Sequence, residues 1–210
     1  MQISIFILEL IGTVAFTVSG AMVALKKNMD IFGVAILGLT TAVGGGALRD
    51  ILLGNTPPVM FREPVYALLA IFVSIVVFIP QVRHLLTHNH VLYDRMMLVM
   101  DSLGLGIFTV VGINTAYELS NDYTFFLLVF VGTITGVGGG VLRDVMAGDT
   151  PYIFVKHVYA CASAVGAVLC AALYVPLGKA PAMFLGALTV IIIRLLAAHY
   201  KWSLPHSREK

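Results

Sequence analysis

The chain carries one sequence pattern twice. Residues 38–57 read GLTTAVGGGALRDILLGNTP and residues 132–151 read GTITGVGGGVLRDVMAGDTP, with twelve of the twenty positions identical at a constant offset of 94 residues. Upstream the similarity continues at an offset of 92, which aligns Glu9 with Asp101. Self-similarity of this length indicates a duplicated structural unit.

Long apolar segments occupy most of the chain. Hydrophobic residues make up 59% of it and charged residues 11%, against about 45–50% and about 25% in soluble domains. Each segment has the length of about 20 residues that a helix needs to cross a membrane. The segments lie at about 3–25, 31–53, 64–83, 96–117, 123–147, 155–175 and 181–200. The first lacks the basic start of a secretory signal, so we expect it to be retained as a span. The fold class predicted is an all-α integral membrane protein with seven transmembrane helices.

The offset between the two copies determines their relative orientation. Seven spans in 210 residues average about 30 residues each, so an offset of 92–94 residues corresponds to three spans. Because three is odd, the second copy crosses the membrane in the opposite direction to the first. We therefore predict two inverted three-helix repeats, at residues 1–90 and 91–178, followed by a seventh helix and tail at residues 179–210. Inverted repeats are typical of transport proteins, whose path lies where the repeats meet.

Basic residues are distributed unequally between the two sets of loops. The side reached after spans one, three, five and seven holds Lys26, Lys27, Arg83, Arg95, Lys156, Lys201, Arg208 and Lys210. The opposite side holds Arg62 and Lys179. Cytoplasmic loops carry the excess of Lys and Arg. We therefore expect a bacterial or archaeal cell-membrane protein with its N-terminus outside and its C-terminus in the cytoplasm.

Three consecutive glycines lie inside the second span and again inside the fifth. These glycines are Gly44, Gly45, Gly46, Gly138, Gly139 and Gly140. Each costs about 1 kcal/mol relative to alanine in a helix, so each triplet favours local unwinding or a kink by about 3 kcal/mol. A helix broken at membrane depth is tolerated where it lines a cavity, so we predict that the triplets line a pore. Thr41 and Thr135 precede them, and their hydroxyls can satisfy a carbonyl at a kink or bind a cation.

A packing role for the same glycines stays open. Gly38, Ala42 and Gly46 are spaced four residues apart, and residues 132, 136 and 140 repeat this spacing with glycine throughout. Stripes of small residues at this spacing allow transmembrane helices to pack closely. The two roles are compatible, because the inverted copies could cross at these stripes.

An arginine–aspartate pair follows each glycine triplet, Arg49 and Asp50 in the first copy and Arg143 and Asp144 in the second. A charge inside a span costs about 2.5–3.5 kcal/mol on insertion scales. Adjacent residues point about 100° apart on a helix, so we expect each arginine to pair with an acid elsewhere, for example in the other copy. The pairs are predicted either to hold the copies together or to form a charged gate.

The matched acids Glu9 and Asp101 lie in the first turns of their spans. They could form cation-attracting pore mouths on opposite faces, or they could be solvated carboxylates among the lipid headgroups. The chain contains no arrangement of a nucleophile with a base, no phosphate-binding loop and no convincing metal site. We therefore expect no enzyme activity, no cofactor and no nucleic-acid partner.

Two copies of GGGxxRD, at residues 44–50 and 138–144 of a seven-span chain, resemble the bacterial branch of the trimeric intracellular cation (TRIC) channel family. The resemblance covers nearly the whole chain. It implies a homotrimer among membrane lipids, with a separate path through each protomer and kinks at the triple glycines. It also implies conduction of monovalent cations, chiefly potassium, and is compatible with a bound lipid. Some bacterial relatives are instead labelled glycine transporters, so a carrier of small neutral amino acids is the alternative function. A non-transporting membrane scaffold is a third.

Overall fold

A computed structural model describes residues 3–120, 122–155 and 158–202, and the regular secondary structure of this part of the chain is entirely helical. The helices are α1 (Ile3–Lys26), α2 (Ile31–Leu52), α3 (Val59–Arg62), α4 (Val65–Phe78), α5 (Pro80–Thr87), α6 (His90–Leu119), α7 (Phe125–Met146), α8 (Tyr152–Val155), α9 (Tyr159–Leu177) and α10 (Lys179–His199). Three of the basic loop residues, Lys156, Arg208 and Lys210, lie outside the described residues.

Six of these helices, α1, α2, α6, α7, α9 and α10, are long and apolar enough to cross a membrane. Helices α4 and α5 meet the same criterion only as a pair, and α5 is bent from α4 by 78°. The predicted third span at 64–83 is therefore not one straight helix but bends after Phe78. Pro80 explains the break, because proline lacks an N–H and clashes with the preceding turn but suits the first turn of a new helix.

The two repeats have the same order of elements. A long helix is followed by a second long helix, a four-residue helix and a third crossing: α1, α2, α3 and α4 in the first copy, and α6, α7, α8 and α9 in the second. The copies meet where α2 packs on α7 and α1 packs on α6. The seventh spanning helix, α10, packs on α6 and α9 of the second repeat. The fold is therefore two inverted three-helix repeats plus one helix, as predicted.

Equivalent residues of the two copies meet in the core. Phe16 of α1 stacks on its repeat equivalent, Phe108 of α6, with ring centroids 5.3 Å apart. Both rings are buried, and stacked aromatic pairs contribute about 0.5–1.5 kcal/mol beyond the area that they bury. A residue that touches its own repeat equivalent lies beside the two-fold axis relating the copies. The axis therefore passes between α1 and α6 near these rings.

The ends of α2 and α7 also have the same structure. Gly54 and Gly148 adopt left-handed backbone conformations, with φ of 69° and 70°. The next N–H, of Asn55 or Asp149, then donates back to the carbonyl of Asp50 or Asp144, at 2.8 and 2.9 Å. This glycine-terminated cap satisfies carbonyls that the helix end leaves free. It explains why glycine follows the Arg-Asp pair four residues later in both copies.

Candidate functional site

The glycine triplets lie within unbroken helices, so the predicted local unwinding is wrong, whereas a kink at the glycines stays a prediction. Helix α2 is continuous over Ile31–Leu52 and α7 over Phe125–Met146. The middle glycine of each triplet instead lies against the other repeat. A Cβ atom on Gly45 would overlap the carbonyl oxygen of Thr135, and one on Gly139 would overlap the carbonyl oxygen of Thr41. The low helix propensity of glycine is offset by this close approach of two backbones, which a larger residue would prevent.

The predicted stripes of small residues pack mainly within their own repeats. Gly38 lies beside Thr17 of α1 and Ser74 of α4, while Gly132 lies beside Ile113 of α6. The copies therefore do not cross at these stripes. They cross where the Thr41–Gly45 segment of α2 meets the corresponding segment of α7.

The two threonines at this crossing are buried. The Thr41 hydroxyl donates to the Leu37 carbonyl, and the Thr135 hydroxyl donates to the Val131 carbonyl, each at 2.6 Å. Hydroxyl groups in helices often bond the carbonyl four residues earlier in this way. Of the two roles predicted for these hydroxyls, the structure shows hydrogen bonding to a backbone carbonyl. The carbonyl belongs to the preceding turn of a continuous helix.

At the first repeat, Arg49 pairs with its own neighbour. Its Nε donates to Asp50 Oδ1 at 2.9 Å and its Nη2 lies 2.8 Å from the same oxygen. The prediction that the arginine avoids its neighbour is wrong, because its long side chain folds back across the 100° between adjacent positions. The second oxygen, Asp50 Oδ2, accepts the Val59 N–H at 2.8 Å and so anchors the start of α3. We call Glu9, Arg49, Asp50 and Tyr66 the first-repeat site.

A cavity of about 50 Å³ opens in the first-repeat site. It has room for a few water molecules. Its lining residues are Glu9, Thr13, Ala42, Val43, Gly46, Ala47, Arg49, Asp50, Val59, Met60, Tyr66, Phe108 and Val111. Glu9 is half-buried there and accepts the Tyr66 hydroxyl at 2.5 Å. One arginine and two acids among the lining residues give a formal charge of −1, so the cavity favours a cation.

At the second repeat, Arg143 is fully buried and makes three polar contacts. Its Nε donates to the neighbouring Asp144 Oδ1 at 2.8 Å, again contrary to the prediction. Its Nη1 donates to Asp101 Oδ1 at 2.6 Å and to the hydroxyl of Ser19, in the first repeat, at 2.5 Å. The second acid therefore belongs to the same copy as the arginine. The link to the other copy is a hydroxyl and not a carboxylate.

Asp144 repeats the structural role of Asp50. Its second oxygen accepts the Tyr152 N–H at 2.9 Å, at the start of α8. The aspartate of each Arg-Asp pair thus holds the short helix that follows. This role explains the pair's position at the end of a span, where the chain turns back towards the membrane.

Arg194 of α10 also joins the second repeat, and sequence reasoning missed its role. Its Nη2 lies 3.8 Å from Asp101 Oδ2, and its guanidinium group lies 4.6 Å from the centroid of the Tyr159 ring. We call Asp101, Arg143, Asp144, Tyr159 and Arg194 the second-repeat cluster. Asp101 is only 1% exposed, so its interpretation as a solvated headgroup-level carboxylate is wrong.

Two signals in the sequence could have found these residues. An arginine inside an apolar span usually has a partner within the bundle, which applies to Arg194. The Val65-Tyr66 and Val158-Tyr159 dipeptides match at an offset of 93, within the range of the repeat. Each tyrosine lies beside the matched acid of its own copy.

Two inverted three-helix repeats, with buried ionic groups near the ends of α2 and α7, define a membrane protein of the transport class. A family model described as "Glycine transporter" matches residues 6–81 and 98–175. The UPF0126 inner membrane protein YadS of Escherichia coli is 36% identical over 207 residues, covering 96% of this chain and 95% of YadS. A UPF0126 membrane protein of Deinococcus radiodurans is 34% identical over 203 residues, covering 96% of this chain and 91% of its own.

Solved structures agree with this class. A TRIC cation channel studied for its conductance is 35% identical, with a TM-score of 0.86 and coverage of 100% of this chain and 99% of the channel. The TRIC orthologue from Rhodobacter sphaeroides is 32% identical, with a TM-score of 0.84 and coverage of 96% and 100%. The chain belongs to the bacterial branch of the TRIC channel family. It is a multi-pass membrane protein whose solved neighbours are ion channels and not enzymes.

Proposed function

We propose that this chain is a passive channel for monovalent cations, potassium first among them, with a path inside each protomer. The observation that carries the proposal is the cavity of the first-repeat site, with its formal charge of −1 and its half-buried Glu9. Charges lining a cleft with apolar walls raise the local concentration of counter-ions. A cation that enters this cavity meets the carboxylates of Glu9 and Asp50 and the hydroxyl of Tyr66.

The proposed path runs beside the crossing of α2 and α7 rather than through it. Gly45 and Gly139 lie against opposite backbone carbonyls and leave no space between the helices. Gly46 differs, because it lines the cavity and a Cβ there would have Arg49 Nη2, at 3.7 Å, as its nearest neighbour. The cavity thus continues along the Gly46 side of α2, and the Arg49–Asp50 pair is the group that moves when the path opens.

We further propose a homotrimer in the bacterial inner membrane, with the C-terminus in the cytoplasm. The Rhodobacter relative is described as a trimeric channel and YadS as an inner membrane protein. The uneven distribution of lysine and arginine supports the orientation.

The proposal requires no cofactor, and membrane lipids are the other partner. Chemical crosslinking in detergent should end at a trimer band, and a fluorescent reporter fused after Lys210 should fold in the cytoplasm. A ladder that stops at a dimer, or a dark reporter, would contradict these assignments.

Substitution of Glu9 tests the channel directly. In a planar bilayer with a potassium chloride gradient, the purified protein should give unitary currents that reverse near the potassium potential. We expect Glu9→Gln to lower the conductance at least twofold at low salt, because the cavity loses its net negative charge. The difference should shrink at 1 M salt, where the screening length is about 3 Å.

Glu63→Gln is the matched control for this experiment. Glu63 is exposed at the end of α3, near the same end of the molecule, and does not line the cavity. Its neutralisation removes the same charge without touching the proposed path, so the conductance should stay within about 20% of the parent value, as screening of exposed charges predicts. Equal losses in both variants would show that Glu9 acts only through the surface potential.

A carrier for a small neutral amino acid is the second candidate, favoured by the description of the matching family model as a glycine transporter. In that case the inverted repeats would rock to expose one site alternately to each side. Saturable uptake of labelled glycine into proteoliposomes, with no unitary currents under the same conditions, would replace the channel by the carrier.

A further inference from the structure

The two matched acids of the repeats have different surroundings. Glu9 faces a cavity and is half-buried. Asp101, its equivalent, is buried beside Arg194. Arg194 comes from α10, the one spanning helix that lies outside the duplication. The seventh helix therefore adds to the second repeat a cation that the first repeat does not have.

The two oxygens of Asp101 are not equally satisfied. Oδ1 receives the Arg143 guanidinium at 2.6 Å. Oδ2 is buried and accepts no hydrogen bond of good geometry from the residues that the structure describes, and the Tyr159 hydroxyl is the polar side-chain group that interacts with this carboxylate besides the two arginines. Arg194 Nη2 lies 3.8 Å from Oδ2, which is within ion-pair distance but beyond a hydrogen bond. A buried carboxylate oxygen in this state still attracts a cation strongly.

The formal charges of the first-repeat site and the second-repeat cluster also differ by the one cation that Arg194 adds. The first-repeat site holds Arg49, Asp50 and Glu9, which sum to −1. Their equivalents in the second repeat also sum to −1, and Arg194 brings the second-repeat cluster to zero. Arg194 thus supplies the single positive charge that, at the first repeat, would be supplied by a bound cation.

We propose that Asp101 is a second monovalent-cation site and that Arg194 is a tethered cation occupying it in this conformation. The Arg194 guanidinium closes the path at the second repeat and is held in place by the Tyr159 ring, 4.6 Å away, as well as by charge. When Arg194 moves away, a permeating cation takes its place beside Asp101 Oδ2. The consequence for conduction rests on the proposed channel function, whereas cation binding at Asp101 can be measured without it.

The binding test measures potassium-dependent thermal stability in a Glu9→Gln background, which removes the acid of the first-repeat cavity. Melting is compared in potassium chloride and in N-methylglucamine chloride at equal ionic strength. Adding Arg194→Gln should allow potassium to raise the melting temperature by about 3 °C, because a ligand that binds only the folded state stabilises it. The Glu9→Gln background alone should respond by less than about 1 °C on the same scale.

Two further variants identify the source of any response. Adding Asp101→Asn to Glu9→Gln/Arg194→Gln should abolish it, because the cation site loses its charge. Arg83→Gln in place of Arg194→Gln should give none, because Arg83 is an exposed cation of α5. A response that survives Asp101→Asn, or no response in the Arg194→Gln variant, overturns the proposal.

Folding and conduction provide the remaining outcomes. The first-repeat site shows that one arginine with two acids is compatible with this fold, so Arg194→Gln should fold, and Arg194→Met provides a second route to the same charge. If neither variant folds, Arg194 is a structural residue and the proposal is overturned.

In planar bilayers, Arg194→Gln should raise the open probability at least threefold, and Asp101→Asn should reverse the gain. A potassium response without any current in the parent protein would retain the site and reject the channel. Currents from the parent protein, without potassium-dependent stabilisation of the Glu9→Gln/Arg194→Gln variant, would retain the channel and reject the site at Asp101.

Discussion

Alanine at Gly45 or Gly139 is expected to lower the melting temperature of the protein by about 10 °C, which corresponds to about 3 kcal/mol. The added methyl group would overlap a backbone carbonyl oxygen of the opposite helix, that of Thr135 or Thr41. A backbone carbonyl cannot rotate aside as the end of a side chain can, so α2 and α7 must separate. Because the two glycines are equivalent in the repeat, the two losses should be similar. Thermal unfolding in detergent, followed by loss of the monodisperse peak, measures the effect.

Gly46→Ala is the matched control within the same triplet. Its Cβ would have Arg49 Nη2 as nearest neighbour at 3.7 Å, an ordinary contact distance. All three substitutions gain the same helix propensity, about 1 kcal/mol, so only their surroundings differ. We expect Gly46→Ala to melt within about 2 °C of the parent. Similar behaviour of Gly45→Ala and Gly46→Ala would mean that the glycines provide flexibility and not close packing.

Arg143→Met is the second substitution with a large expected effect. It leaves the buried carboxylates of Asp101 and Asp144 without their shared guanidinium partner. Removal of one member of a buried ionic group costs about 3–5 kcal/mol, because the remaining charge stays buried without compensation. We expect little folded protein, or a melting temperature lower by at least about 10 °C. Yield of the monodisperse peak and thermal unfolding together measure the result.

Two companion variants separate charge from geometry at this position. Arg143→Met/Asp101→Asn should recover part of the loss, because one uncompensated carboxylate is removed. Arg143→Lys should remain well below the parent, since a single ammonium group cannot reach Asp101, Asp144 and Ser19 in the directions that a guanidinium group does. A parent-like melting temperature for Arg143→Met would show that the second-repeat cluster contributes nothing to folding.

The partners of the charged residues could not be predicted from spacing. The angle of about 100° between neighbours on a helix suggested that Arg49 and Asp50 do not meet. They pair because the long arginine side chain folds back, which brings its Nε and Nη2 to 2.9 and 2.8 Å from Asp50 Oδ1. Arg143 could not be linked to Asp101, 42 residues away, without knowing how α6 and α7 are rotated about their axes.

The conformation of the glycine triplets likewise could not be predicted from the sequence. Helix propensity correctly indicates that three glycines weaken a helix in isolation. It contains no information about the helix that will pack against them, and the contact between α2 and α7 decides the outcome. The break that does occur follows Phe78. Pro80 causes it by removing a backbone donor, and this local cause can be recognised from the sequence.

The membrane class, the duplication, the inversion of the second copy and the family resemblance were determined by the sequence alone. Each depends on quantities that can be counted along one dimension: apolar length, the identity of repeated residues and the odd number of spans in their offset. The tertiary structure alone decided which faces of the helices meet. It placed the backbones of α2 and α7 in contact and opened a cavity beside Glu9. It also set Arg194 beside Asp101, the repeat equivalent of Glu9. These contacts depend on the rotation and crossing of helices distant in sequence, which close packing determines and a linear pattern does not encode.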